Sequence, residues 1–183
     1  AYEIASCLVG SEMCIRDRPI RSHSHAGDVS LYKNQFTGTI PSWNAIPSLF
    51  FLDLGFNALT GTLPESLVKF NRLRRVYLNN NNFNGTIPIS FPEMGNKKLT
   101  QLRLNDNDLS GEVPADWWNG RSYQKFLLEL RLENNNFSGE LSEALCSQDV
   151  RTGDGEMVEV NADCDICSCS LCTPHCNWNP FYY

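Results

Sequence analysis

Cysteine is the residue type whose number and spacing first suggest chemistry. The chain holds eight cysteines. Five fall in the run Cys164-x-x-Cys167-x-Cys169-x-x-Cys172-x-x-x-Cys176, with Cys146 upstream. Thiolates at Cys-x-x-Cys spacing, with His175 beside them, could supply four zinc ligands. In an oxidising compartment the same even set of six forms disulfides whose pairing the spacing does not reveal. Cys167 and Cys169 are too close to pair easily with each other, so connectivity must cross the segment. Other reactive constellations are thin. His23-x-His25 could bind a metal only adventitiously, and Asp106 with Asp108 reads as a pair of solvated charges in a turn. Gly-x-Ser-x-Gly, a phosphate-cradling glycine loop and His-Glu-x-x-His are absent from the sequence. No catalytic residue, resident metal or cofactor is therefore expected.

Composition narrows the field further. With 42% hydrophobic and 20% charged residues, the chain has an ordinary globular balance. Its net charge of −6 argues against nucleic acid, whose phosphates attract clustered Lys and Arg. Much of that charge sits in residues 146–183, which hold six acids and one base. Apolar runs such as Leu49–Leu54 fall far short of the ~20 residues a membrane-spanning helix needs.

What must position any functional side chain is an internal repeat. Asn34, Asn57, Asn81, Asn107 and Asn135 each precede an x-Leu/Phe-x-Gly segment. Leu49-x-x-Leu52-x-Leu54-x-x-Asn57-x-Leu59-x-Gly61-x-Leu63-Pro64 is one copy, and Leu73 to Pro88 is the next. Leu99 to Pro114 and Leu127 to Leu141 follow, with a partial first copy from Val29 to Pro41. The x-Leu-x-Leu-x segment alternates with period two, so it predicts a short strand with one buried face. The Asn closes the turn, where its amide can bond backbone groups of its own and the neighbouring copy. One copy cannot bury its own apolar row, so the copies stack into a solenoid. Extra residues at Phe91–Lys98 and Trp117–Lys125 fall on the convex side, and Trp117 occupies the core position held elsewhere by Leu67, Phe91 and Leu145.

This frame, with its Gly-x-Ile-Pro extension, resembles the plant-type leucine-rich repeat over roughly Val29–Cys146. The resemblance implies an α/β solenoid with a curved parallel sheet on its concave face and short 3-10, helical or irregular convex segments. It also implies three regions: a leader at 1–28, the solenoid at 29–146 and a Cys-rich cap at 147–183. In the leader, the run from Cys7 to Arg18 resembles a translated cDNA adapter, which would make residues 1–16 foreign to the native chain. The cap keeps a degraded strand frame, Met157-x-x-Val160-x-Ala162. Its Ala-Asp-Cys and Cys-x-Cys pattern resembles the tails of secreted algal repeat proteins, which favours disulfides over zinc for Cys146, Cys164, Cys167, Cys169, Cys172 and Cys176. Two glycosylation acceptors, Asn84-Gly85-Thr86 and Asn136-Phe137-Ser138, are consistent with secretion and are expected in the turn after the repeat Asn.

Function in such an architecture lies on the concave sheet. Strand alternation assigns its outward rows. One is Ser30, Asp53, Tyr77, Arg103, Arg131, and the next is Tyr32, Gly55, Asn79, Asn105, Glu133. Beside them run Lys33, Phe56, Asn80, Asp106, Asn134, and Phe51, Arg75, Gln101, Glu129. Early copies present aromatics and later ones charge, the types that anchor interfaces. The resemblance implies a non-catalytic extracellular module, secreted or at the cell surface, that binds a protein, peptide or cell-wall glycan there. Two other functions are readable. Thr39, Thr62 and Thr86 in one row, with Thr37 and Thr60 in another, could form an ice-binding hydroxyl ladder, and the Cys-rich tail could make a zinc-dependent adaptor. If the leader is foreign, a chain starting at Arg18 exposes an uncapped apolar edge and should be poorly soluble. Clean monomeric behaviour in sedimentation would count against that expectation.

Overall fold

The computed structural model describes residues 2–3, 27–42, 48–114, 126–141, 159–163 and 166. Trp117, the cysteines, the histidines and most of the leader lie outside the described residues. Each inner strand spans three residues centred on a frame Leu or Val: β2 (Asp28–Ser30), β4 (Phe51–Asp53), β6 (Arg75–Tyr77), β8 (Gln101–Arg103), β10 (Glu129–Arg131) and β12 (Glu159–Asn161). They form one parallel sheet in the order β12-β10-β8-β6-β4-β2. The register pairs equivalent positions, with Leu52 opposite Val76, Val76 opposite Leu102, and Leu102 opposite Leu130. All four are fully buried. Burying each such side chain contributes ~1.5–3 kcal/mol, and only stacking makes that burial available.

A second parallel sheet, which the sequence frame did not reveal, follows the repeat asparagines. Its strands are β1 (Tyr2–Glu3), β3 (Phe36–Thr39), β5 (Ala58–Thr62), β7 (Asn82–Gly85), β9 (Asp108–Gly111) and β11 (Asn136–Phe137). They stack in sequence order. The x-Leu/Phe-x-Gly segment is thus a strand, not an irregular link. Leu59, Phe83 and Leu109 point inward while their neighbours face out. The 3-10 turns Glu65–Lys69 and Phe91–Glu93 and the single helical turn Met94–Lys97 close the convex side. Leu67, Phe91 and Met94 complete the core from there. Gly95 has φ +63°, and a β-carbon on it would lie 2.0 Å from the Leu73 carbonyl oxygen, so no other residue fits.

The second sheet corrects two expectations. Asn84 and Asn136 lie in strands β7 and β11, not in turns, although both stay exposed by alternation. The threonine rows also fail to form. The second sheet is staggered by two residues per turn, so Thr39 pairs with Thr60, Thr60 with Asn82 and Thr62 with Asn84. Moreover, the Thr39 methyl packs beneath Gly61, where a β-carbon would sit 2.7 Å from it and φ is +79°. The stagger that seats each threonine under the next glycine prevents a hydroxyl ladder.

The repeat asparagines bind the turns together. Asn81 Nδ2 donates to the Leu54 oxygen of the preceding turn at 3.0 Å and to Leu78 and Asn79 of its own turn at 3.2 Å each. Its Oδ1 accepts the Leu59 amide at 3.0 Å. Asn57, Asn107 and Asn135 repeat this pattern, while Asn34, on the first turn, donates among the described residues to Leu31 and Tyr32. At the far end, just after β12, the Asp163 side chain takes the place of backbone carbonyls. Its two carboxylate oxygens accept the Asn134 and Asn135 amides at 2.9 and 3.1 Å, groups that bond carbonyls in earlier copies. Replacing Asn81 by Ala leaves the buried Leu59 amide without its acceptor and removes one of the donors to each of the Leu54, Leu78 and Asn79 carbonyls. It should cost roughly 2–4 kcal/mol in urea unfolding. A loss under about 0.5 kcal/mol would show that the ladder is not structural.

Candidate ligand-binding face

Three constraints shape the concave surface: strand pairing, the left-handed turn before each asparagine, and bonds between neighbouring side chains. Pairing sets Asp53 opposite Tyr77, Tyr77 opposite Arg103, and Arg103 opposite Arg131. Side chains ~4.8 Å apart touch. The Phe51 and Tyr77 rings meet edge-on, with centroids 5.1 Å apart. The Arg75 guanidinium lies 4.4 Å from the Phe51 centroid, and that of Arg103 lies 4.2 Å from the Tyr77 centroid. The Tyr77 hydroxyl donates to Gln101 Oε1 in a short hydrogen bond. Arg103 grips Glu129 with two bonds, Nε to Oε1 at 2.9 Å and Nη2 to Oε2 at 3.2 Å. Arg131 Nε reaches the same Glu129 oxygen at 2.6 Å, and its Nη1 lies 3.9 Å from Glu133.

The result is a continuous chain of contacts, Arg75–Phe51–Tyr77–Arg103–Glu129–Arg131–Glu133, running across the strands. It mixes flat apolar rings with fixed guanidinium forks. Burial pulls Arg103 toward losing its proton, but the hydrogen bonds and charge of Glu129 outweigh it and raise the pKa. Burial raises the Tyr77 phenol pKa, with Arg103 opposing and Glu129 adding to the rise. Both groups therefore hold their protons, and the face presents cations and a donor at ordinary pH.

Not every expected binding residue is reachable. Asp53, Asn79, Asn105, Glu129 and Glu133 are each at most 8% exposed. Alternation turns them toward the concave side, but bonds to neighbouring groups draw them down among the Arg, Asn and Asp side chains beside them. Tyr32, Lys33 and Phe56 are exposed, whereas Phe51, Arg75, Tyr77, Arg103, Asp106 and Arg131 are half-buried. Gln101, which alternation placed in an outward row, accepts the Tyr77 hydroxyl. Phe50 was missed. It is 42% exposed, with the Arg74 and Arg75 guanidiniums 5.8 and 5.9 Å from its ring. It precedes the strand, so alternation within the strand could not place it.

The left-handed turn carries its own signal. Lys33, Phe56, Asn80, Asp106 and Asn134 all have φ between 54° and 57°. Asn and Asp tolerate this region, but a bulky residue there is strained by about 1–2 kcal/mol. Phe56 occupies it nonetheless, with its ring edge-on to Tyr32 at 5.3 Å.

With this geometry in place, the leucine-rich repeat family model matches residues 48–70, 72–94, 98–119 and 126–148. The solenoid is a leucine-rich repeat array. Over 114 residues it is 38% identical to Receptor-like protein 32 of Arabidopsis thaliana, covering 59% of this chain and 13% of that protein. Its fold matches the crystal structure of Pollen Receptor Kinase 3 with TM-score 0.60 and 28% identity, over 73% of this chain and 58% of that one. It also matches the Arabidopsis receptor kinase HAESA, solved with the peptide hormone IDA and the co-receptor SERK1. There the TM-score is 0.57 and identity 25%, over 73% of this chain and 21% of that one. The second sheet, the left-handed turn and the asparagine ladder thus sit in repeats similar to those of plant receptors. The chain spans about an eighth of Receptor-like protein 32.

Burial also raises the Asp53 carboxyl pKa above its usual 3.8, against the opposing pull of the Gly55 amide and the Arg103 charge. A carboxyl raised in the folded state supports folding fully below its unfolded pKa, and that support is lost as pH rises through the folded value. Asp53→Asn, which keeps an acceptor for the Gly55 amide, should therefore raise the melting temperature at neutral pH. The gain should vanish by about pH 3, where Asp53 is neutral in both states. An equal difference at both pH values would refute burial as the cause.

Proposed function

We propose that this leucine-rich repeat region is a non-catalytic extracellular recognition module that binds a peptide or protein on its concave face. The observation that carries the reading is the cross-strand chain from Arg75 through Phe51 and Tyr77 to Arg103, Glu129 and Arg131. Flat rings offer apolar area at little entropic cost, and Arg forks offer directed hydrogen bonds. The surface is ordered before binding, so little conformational freedom is lost when a ligand arrives. HAESA, whose solved complex contains a peptide hormone, supports a peptide as the ligand class.

A cell-surface or secreted location fits the similarity to receptor-like proteins. Within this reading the solenoid spans 29–146 and a cap spans 147–183, its five cysteines and Cys146 forming disulfides. Asn84 and Asn136 are exposed and so open to glycosylation. Residues 1–16 remain read as foreign sequence, although the Tyr2–Glu3 backbone pairs with Phe36–Thr37 at the sheet edge.

The test begins by panning a random peptide library against protein secreted from a eukaryotic host. Tyr77→Ala and Arg103→Ala should each weaken the selected peptides by roughly 1–3 kcal/mol. The Arg103 change does not strand a charge, because Arg131 still holds Glu129. Unchanged affinity in both variants would remove the concave face as the binding surface.

A further inference from the structure

Phe56 is conformationally misplaced and solvent-facing, and nothing in the stacking of the turns explains it. The four equivalent positions hold Lys33, Asn80, Asp106 and Asn134, residues long or polar enough to suit an exposed left-handed turn. Phe56 is 42% exposed and Tyr32, edge-on to it, is 47% exposed. The pair is therefore an aromatic platform open to solvent, held in place by the amide bond of Phe56 to the Asn79 carbonyl at 3.0 Å.

From that platform a polar track runs along the same rim. Backbone hydrogen bonds set Gly55–Phe56 beside Asn79–Asn80, then Asn105–Asp106, then Glu133–Asn134. The track is preorganised. Asn79 Nδ2 donates to Asn80 Oδ1 at 2.8 Å, Asn105 Nδ2 to Asp106 Oδ2 at 2.6 Å, and Asn134 Nδ2 to Asp106 Oδ1 at 2.8 Å. Of its two carboxylates, that of Asp106 is thus satisfied by amides and that of Glu133 is buried beside Arg131, while Lys33 stands at the opposite end. The reachable charges of the rim, Lys33 and Asp106, therefore cancel, and the rim carries none of the guanidinium forks of the concave floor. Successive rim positions are one strand spacing apart, ~4.8 Å.

We propose that this rim is a second binding site, for a neutral, extended β-linked hexose oligosaccharide. Aromatic faces pack against the C–H faces of pyranose rings, and the reachable side-chain amides, those of Asn80 and Asn134, donate to and accept from their hydroxyls, with Asn79 and Asn105 holding the track from beneath. An extended β-linked hexose chain advances by a length similar to one strand spacing per sugar, so consecutive sugars meet consecutive turns. The absence of net charge selects against polyuronates and charged peptides, whose partners are the Arg residues of the floor. The site is separate from the peptide-binding face and stands or falls independently of it.

Isothermal titration of the full chain with neutral β-linked hexamers of glucose, mannose and galactose, and with a galacturonate hexamer, tests the proposal. At least one neutral hexamer should bind more tightly than the galacturonate. Phe56→Asn relieves the left-handed turn, so it should keep an unfolding midpoint close to wild type while losing about tenfold or more in affinity. Tyr32→Ala should lose a similar factor, and Ile89→Ser, exposed elsewhere, should lose none. No binding of any neutral hexamer at millimolar concentration would overturn the proposal. So would tighter binding of galacturonate, or full affinity in a folded Phe56→Asn protein.

Discussion

The asparagine that ends each inner strand has to satisfy two turns at once. Its amide nitrogen holds the carbonyls of its own bend and reaches the carbonyl of the turn before, while its oxygen takes an amide from that same preceding turn. No apolar residue can supply both donor and acceptor, and a longer amide would push the turns apart. Because the backbone bends sharply around this side chain, the preceding residue is forced into the left-handed region at every copy. The chain then leaves along a second strand, whose stagger seats a glycine over a threonine methyl. Two sheets, the rim and the curvature between them follow from that one side chain.

Bonding between neighbours is what gives the concave face its character. It draws Asp53, Glu129 and Glu133 down, and buried acids are costly unless paired. Glu129 is paired twice, by Arg103 and by Arg131, which fixes both guanidiniums against it. Arg103 in turn lies over Tyr77, and Tyr77 meets Phe51. The acids thus act as supports for the cations and rings above them. A ligand meets an ordered surface in which few side chains need to settle.

The leucine frame made the inner sheet legible, because period-two alternation and the recurring Asn specify which residues point inward at every turn. The second sheet was not legible: four residues ending in glycine read as a turn, and only parallel pairing to a neighbouring copy makes them a strand. That same blindness put Asn84 in a turn and lined up threonines that the stagger separates. Outward rows were assigned correctly by direction but not by depth. Alternation says that Asp53 faces the concave side, and only its bond to the Gly55 amide says that it is drawn down there. Asp163 was visible as part of an Ala-Asp-Cys pattern, yet the way its carboxylate stands in for backbone carbonyls after β12 needed coordinates.

The central claim is that the asparagine side chains weld adjacent turns into one cooperative body. Native-state hydrogen exchange at the amides they accept, those of Phe36, Leu59, Phe83 and Leu109, tests it most directly. Leu59 and Phe83 lie inside the stack, so their amides should exchange only through global unfolding, with a common free energy and full denaturant dependence. Fast exchange at those two amides, independent of denaturant, would mean that each turn opens alone and would contradict the account.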